Sequence, residues 1–142
     1  MLEMSADDLL RFLDQHFPQI EHLGIAIERL DEAGIRVRLP FNEMQLRPGG
    51  TVSGPTMMGL ADTTMYLVIL SRIGPVALTV TTNLNINFMR RPKQSDLIAE
   101  GKILKLGRRL AVGEVALYSD GEAEPVAHAT MTYAIPPQGE RN

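Results

Sequence analysis

The sequence predicts a single α+β domain in which an antiparallel sheet wraps around one long central helix. Three features of the 142-residue chain indicate this arrangement: its length, a long and almost uncharged helical stretch, and alternating apolar strands on both sides of that stretch. A chain of this length usually forms one domain, and the sequence contains no internal repeat and no linker. We therefore expect one domain over residues 1–142, with a core over about 20–136.

A short helix and a strand hairpin are predicted first. Ser5 and Asp8 form a pattern typical of a capping box, and the apolar face that follows predicts a helix that Pro18 stops. Apolar residues at 24–30 and alternating residues at 35–39 predict two strands joined by a turn. The turn is short, so the two strands should pair with each other.

The central helix is predicted over residues 54 to about 72, and Asp62 is the one charged residue before its end. Pro55 suits the first turn, while Gly74 and Pro75 end the helix. A helix that is apolar on every side is buried on every side, in a membrane or in a protein core. The central acid, the threonines and the amphipathic strands favour a core, so we expect no membrane span.

Four strands are predicted after the helix. Over 76–88 the even positions are mostly apolar and the odd positions are threonine or asparagine, which is typical of a two-faced strand. Strands at 97–105 and 109–119 share a tight connection, and a turn at 120–121 leads to a last strand at 125–135. Short hairpin links favour an antiparallel over a parallel sheet.

Composition excludes several classes of function. The absence of cysteine excludes disulfides, thiolate nucleophiles and cysteine-ligated metals, and the three histidines, His16, His22 and His128, lack metal-ligand spacing. A net charge of −3 and an aromatic content of 5% argue against nucleic acid as a partner. The N-terminus carries acids where a secretory signal carries bases, so we expect a cytoplasmic protein.

Charge is distributed unevenly along the chain. Residues 90–109 contain seven basic and two acidic side chains, a local charge of +5 that leaves −8 on the remainder. This segment is a candidate anion site.

Asp62 is the strongest candidate for a functional residue. A buried carboxylate is either neutralised or needs a partner, and a structural hydrogen bond is as common an explanation as catalysis. Upstream, the aperiodic loop 41–53 contains two adjacent glycines, and the helix N-terminus at Gly54 offers N–H groups that can stabilise an oxyanion. Ser53 is expected to cap the helix, because it lacks the sequence context of a serine nucleophile.

Three stretches of the sequence carry a family resemblance. They are SGPTMMGLADTTMY, TTNLNINFMRRP and KLGRRLAVGEVALYSDGEAEPVAHATMTYAIPP. In this order and spacing they resemble the hotdog-fold acyl-CoA thioesterases of the phenylacetate-pathway type. The resemblance implies an acyl-CoA substrate, no cofactor, and a homodimer or dimer of dimers in which the strand at 76–88 pairs with its copy.

The resemblance also implies roles for individual residues. Asp62 matches the acid that acts as general base or nucleophile on the thioester, and the Gly54 N–H matches the donor to its carbonyl. The expected substrate contacts are Arg47, Gly50, Ser53, Pro55, Met58, Thr81, Thr82, Asn83, Lys105, Arg108 and Arg109. The last three of these match the region near the nucleotide phosphates.

Two positions depart from the family pattern. Residues 53–55 are Ser-Gly-Pro where the family has His-Gly-Gly, and Arg47 stands where many members carry asparagine. Pro55 has no N–H, so Gly54 or Thr56 must polarise the carbonyl. A non-catalytic acyl-CoA or acyl-carrier binding protein is therefore the second candidate. An enoyl thioester hydratase or dehydratase, which generally pairs an acid with a nearby histidine, is the third.

Overall fold

Two helices and six strands follow one another along the chain in the computed structural model, which describes residues 1–17 and 24–140. Pro18, predicted to stop the first helix, and His22 lie outside the described residues. The elements are α1 (Ala6–His16), β1 (Ala26–Asp31), β2 (Gly34–Leu39), a 3-10 turn (Glu43–Gln45), α2 (Gly54–Ile73), β3 (Val80–Phe88), β4 (Leu97–Leu106), β5 (Leu110–Ser119), β6 (Ala127–Ala134) and a second 3-10 turn (Gln138–Glu140).

The strands form one sheet in the order β1-β2-β4-β5-β6-β3, and all pairings among the described strands are antiparallel. The predicted antiparallel sheet around a central helix is therefore confirmed. The strand β3 is last in this order and pairs with β6 alone among the described elements. One edge of β3 is thus left open at the side of the sheet.

The helix α2 is buried continuously from Thr64 to Ser71, whereas Met58 and Gly59 in its first half are exposed. Ser53 caps its N-terminus, and Gly74, with φ of 94°, ends it. Two glycines of the sheet let the helix approach closely. A Cβ at Gly113 would lie 2.5 Å from the sulfur of Met65, and a Cβ at Gly101 would lie 3.0 Å from Thr64. The absence of a side chain at these two positions of the sheet therefore lets the helix pack closely against it.

The helix α1 begins with the predicted capping box. The Ser5 hydroxyl accepts the Asp8 N–H at 3.1 Å, and the Asp8 carboxylate accepts the Ser5 N–H at 3.0 Å. Leu9 and Leu13 are 0% and 3% exposed, and they join the same core as α2. Each buried leucine contributes about 1.5–3 kcal/mol relative to an exposed one, which holds α1 against α2.

Candidate active site

Asp62 lies in the middle of α2, on the side that faces the ends of β3 and β6. The sequence predicted a buried carboxylate, but Asp62 is only half-buried. The difference arises because the sheet ends at β3, so α2 is not enclosed on this side. Solvent and ligands can therefore reach the carboxylate.

Two hydroxyl groups from different strands hold the Asp62 carboxylate. The Tyr133 Oη lies 2.5 Å from Asp62 Oδ1 and 2.7 Å from the Asp62 carbonyl oxygen, and donates to them. The Thr81 hydroxyl donates to the same Oδ1 at 2.7 Å. Within residues 1–17 and 24–140, no hydrogen bond reaches the other oxygen, Oδ2. One carboxylate oxygen is thus fixed in place, and the other is open to a ligand.

Burial raises the pKa of the Tyr133 phenol, and the negative charge of Asp62 raises it further. The phenol therefore stays protonated and remains a hydrogen-bond donor to the carboxylate across the ordinary pH range.

A β-bulge brings Thr81 to this position. Thr81 is opposite Tyr133 and Asn83 is opposite Thr132, so Thr82 is the extra residue in β3. The predicted strand alternated without interruption from residue 76, which is wrong: β3 begins at Val80 and shifts register at the bulge. The shift turns Thr81 toward the helix, although the even positions face the helix farther along the strand.

The first turn of α2 has one N–H group that remains available. The Ser53 hydroxyl accepts the Thr56 N–H at 3.2 Å, the Ser53 carbonyl accepts the Met57 N–H at 3.2 Å, and Pro55 has no N–H. Gly54 is therefore the residue whose N–H has no acceptor in the described part of the chain. The sequence left Gly54 and Thr56 as possible donors, and the Thr56 N–H already donates to the Ser53 hydroxyl.

Gly54 and Asp62 do not meet within one chain. They are eight residues apart in one helix, which corresponds to about 12 Å along its axis. A thioester carbonyl held at Gly54 of one chain is thus out of reach of Asp62 of the same chain.

Two cavities meet at Asp62 and Thr63. The larger, about 800 Å³, runs toward the helix N-terminus, and the smaller, about 220 Å³, runs toward α1 and the start of β3. The larger is lined by Gly24, Ile25, Leu39, Pro40, Phe41, Asn42, Met44, Gln45, Pro55, Thr56, Gly59 and Leu60. The smaller is lined by Leu13, Phe17, Tyr66, Thr79, Val80, Thr81 and Tyr133.

The other predicted site residues are dispersed. Pro55 borders the larger cavity, whereas Met58 and Asn83 are exposed outside both cavities. Thr82 is also exposed, and its hydroxyl donates to the Thr132 carbonyl at 3.2 Å. Ser53 is the helix cap.

Arg47 is exposed in a loop that folds back on the chain. Its N–H donates to the Thr51 carbonyl at 2.9 Å. The Gly50 carbonyl accepts from the Gln94 side chain at 2.7 Å, which anchors the loop to the segment after β3. Neither Arg47 nor Gly50 lines the two cavities at Asp62.

The basic segment 90–109 does not form one anion site. Arg90 and Lys93 precede β4 and pair with Glu124 and Glu122 at 2.7 and 2.6 Å. The other predicted phosphate contacts lie at the opposite end of β4, about 30 Å away for a ten-residue strand. These exposed residues, at the end of β4 and in the β4–β5 turn, are Lys105, Arg108 and Arg109.

The described ranges contain no cluster of metal ligands, and His128 lies away from Asp62. No group of three or more metal-binding side chains occurs in the described ranges. His128 bonds Glu114 at 2.9 Å, away from Asp62, so it supplies no second proton-transfer group there.

Across the described ranges, none of the helices has the length and hydropathy needed to span a membrane.

Sequence reasoning missed Tyr133 and underestimated Thr81. Alternation along β6 puts Tyr133 on the same face as buried Met131, and a buried tyrosine hydroxyl needs a partner. That signal could have identified Tyr133. The bulge that redirects Thr81 leaves no comparable signal in the sequence.

Comparisons with known proteins identify relatives along most of the chain. The model of the thioesterase superfamily matches residues 49–126. A Halobacterium salinarum protein, provisionally named an esterase, is 30% identical over 137 residues, which cover 88% of this chain and 89% of the relative.

Solved structures have the same fold. A protein from Silicibacter sp. TM1040, provisionally described as a thioesterase, is 47% identical with a TM-score of 0.89, covering 96% of this chain and 95% of that one. A thioesterase from Haemophilus influenzae has a TM-score of 0.81 at 21% identity and covers 96% of each chain. At that identity, the second likeness concerns the fold alone.

Proposed function

This chain belongs to the thioesterase superfamily, and from that premise we propose that it hydrolyses a small acyl-CoA or aryl-CoA thioester to the free acid and CoA. The observation that carries the proposal is the Asp62 carboxylate, held by Tyr133 and Thr81 at one oxygen and open at the other, where two cavities meet.

Asp62 is the group that activates the attack on the thioester. As a general base it takes a proton from water, whose oxygen adds to the carbonyl carbon, and the C–S bond then breaks to release the acid and the thiol. As a nucleophile it would itself add to the carbonyl, the C–S bond would break to expel the thiolate, and water would then hydrolyse the resulting anhydride to the free acid and the Asp62 carboxylate. In both cases the hydrogen bonds at Oδ1 orient the carboxylate so that Oδ2 faces the substrate.

The Gly54 N–H is the proposed donor to the carbonyl oxygen, where negative charge develops. Because it lies about 12 Å along the helix from Asp62 of the same chain, the donor must come from a second copy. The active site is then shared between two subunits.

The open edge of β3 can bring the two copies together. Unpaired edge strands pair readily with another strand, and Val80 and Phe88 at the two ends of β3 are 51% and 50% exposed. Thr81, near the start of β3, bonds Asp62, whereas the Phe88 ring at its end lies 3.4 Å from where a Cβ of Gly54 would be. Antiparallel pairing of two β3 strands would therefore bring Asp62 of one subunit toward Gly54 of the partner subunit.

The β4–β5 turn is the proposed contact for the nucleotide phosphates of CoA. Leu110, at the start of β5, is opposite Ala134, which is in turn opposite Val80, so the turn lies at the same end of the sheet as Thr81. In the antiparallel pair of β3 strands, the partner's turn would lie beside the Phe88 end of this chain, toward which the larger cavity runs. Its exposed cations would attract the polyphosphate of a CoA bound in that cavity. The basic residues at the end of β4 and in this turn are Lys105, Arg108 and Arg109.

Release of free thiol from a panel of short, medium, long and aryl acyl-CoAs tests the proposal. Asp62→Asn should lower kcat/KM roughly a hundredfold or more, as expected on loss of an acid–base group. The matched control is Asp14→Asn, which makes the same change at an exposed position of α1. Full activity in Asp62→Asn would refute the proposed role.

A further inference from the structure

The smaller cavity at Asp62 is walled in part by α1. Leu13 and Phe17 line it on one side, and Tyr66 and Tyr133 line it on the other. Leu13 and Phe17 precede residues 49–126, over which the thioesterase model matches. This wall is therefore contributed by a part of the chain that the family pattern does not describe.

Two of these four lining side chains, Tyr66 and Tyr133, are held in place by hydrogen bonds. The Tyr66 hydroxyl donates to the Ala77 carbonyl at 3.0 Å, and the Tyr133 hydroxyl donates to Asp62. The Phe17 ring packs edge-on against Tyr66, with ring centroids 5.5 Å apart. Leu13 and Phe17 are attached to the site by apolar packing alone, so changes there alter the cavity without breaking a polar contact of Asp62.

The two cavities differ in what they can accept. Cavities of about 150 Å³ lined by apolar side chains bind benzene, so the smaller cavity, at about 220 Å³, has room for one ring or a short acyl chain. The larger, at about 800 Å³, includes the polar side chains of Asn42, Gln45 and Thr56. The larger volume suits the long, amide-containing arm of CoA, which leaves the smaller cavity for the acyl group.

We propose that α1 and its C-cap residue, through Leu13 and Phe17, form the end wall of the acyl chamber and set the upper limit of acyl length. This inference rests on the proposed thioesterase function. Within it, the thioester carbonyl lies at Asp62, the acyl group points toward α1, and the thiol side runs through the larger cavity. A longer chain is then rejected because it would have to displace the packed side chains of α1.

The experiment compares kcat/KM for saturated acyl-CoAs from acetyl to dodecanoyl in the full-length protein. Leu13→Ala and Phe17→Ala should each raise the dodecanoyl-to-butyryl ratio about tenfold or more, since one methylene in a hydrophobic pocket changes discrimination by about that factor. The matched control is Leu9→Ala, which removes a side chain of the same helix that is 0% exposed and lines neither cavity. It should lower the melting temperature and leave the ratio unchanged.

If the alanine variants fail to fold, a variant with a larger side chain tests the same inference. Phe17→Trp should shorten the preferred chain and lower activity most on the longest substrates. An unchanged ratio in every folded Leu13 and Phe17 variant would overturn the inference, and so would a preference that shifts instead with Phe41→Ala in the larger cavity. In either case, activity that still depends on Asp62 would leave the thioesterase proposal standing. Absence of thiol release from all substrates by the wild type would instead refute the proposed function.

Discussion

At the scale of single residues, the orientation of one carboxylate depends on two hydroxyl groups that are distant in sequence. Tyr133 is 71 residues from Asp62 and Thr81 is 19 residues from it, yet both donate to the same oxygen. A hydrogen bond to a charged group contributes about 1.5–3 kcal/mol, so two of them restrict the carboxylate to one rotamer. In the proposed mechanism Tyr133 and Thr81 are positioning residues, because they would act on the substrate through Asp62.

Tyr133→Phe should therefore lower kcat about tenfold to a hundredfold while KM changes little. This change in kcat corresponds to about 1.5–3 kcal/mol, the contribution of one hydrogen bond to a charged acceptor. The measurement is steady-state thiol release with the preferred acyl-CoA. Tyr118→Phe, a change of the same chemistry on β5, is the matched control and should keep the wild-type kcat. A Tyr133→Phe protein that changes KM alone would contradict the positioning role.

Tyr66 should make the protein sensitive to alkali. Burial raises its pKa from 10.0 to about 12, so the folded state holds the phenol proton more tightly than the unfolded chain. The stabilisation is complete below pH 10 and is lost as pH rises from 10 toward 12, by on the order of 2 kcal/mol. In Tyr66→Phe the free energy of unfolding should fall less between about pH 9 and about pH 11, as measured by urea denaturation. Equal losses in both proteins would contradict this assignment.

At the scale of elements, the contact of α2 with the sheet depends on glycine. Alanine at Gly113 would place a Cβ 2.7 Å from the Lys102 carbonyl oxygen as well as against Met65. Met65 is flexible and can move, but the backbone of a paired strand cannot.

Two glycine-to-alanine variants should therefore have opposite effects on stability. Gly113→Ala should lower the free energy of unfolding by about 1–3 kcal/mol through overpacking. Gly59→Ala, inside α2 with no atom within 4 Å of the new Cβ, should raise it by up to about 1 kcal/mol, because alanine favours the helix. Chemical denaturation measures both. A stabilising Gly113→Ala would show that α2 is not packed as closely as described.

Strand periodicity predicted the existence of each strand but not its local register. In β3 and β4 an extra residue shifts the pairing, at Thr82 and at Leu104. Alternation reports which side chains are apolar, and a bulge changes which face they occupy without changing their identity. This is why the sequence predicts Thr81 as a substrate contact and not as the partner of Asp62, to which its hydroxyl donates.

At the scale of the whole molecule, the open β3 edge determines whether the proposed site is complete. Asn85 is exposed near the middle of that strand. In an antiparallel pair of β3 strands, the two copies of a central residue lie close together. Like charges there are destabilising.

Asn85→Lys should therefore convert the proposed dimer to monomer, and thiol release should fall in parallel because the proposed Gly54 N–H donor of the partner is withdrawn. Light scattering on a sizing column measures the mass and also reports whether wild-type dimers pair further. Thr130→Lys, an equal change opposite Asn85 on β6 and one strand in from the edge, is the control. A fully active Asn85→Lys monomer would refute the shared site.

The sequence by itself determined the elements, the central helix and its cap at Ser53, and it made Asp62 the candidate functional residue. These depend on local features: periodicity, capping residues, turn residues and one charge in an apolar run. Tertiary structure alone decided that Tyr133 and Thr81 hold Asp62 and that the basic segment is divided. It also decided that α1 walls a cavity at the site. Such contacts depend on strand register, a bulge and the packing of distant segments, which the order of residue types does not specify.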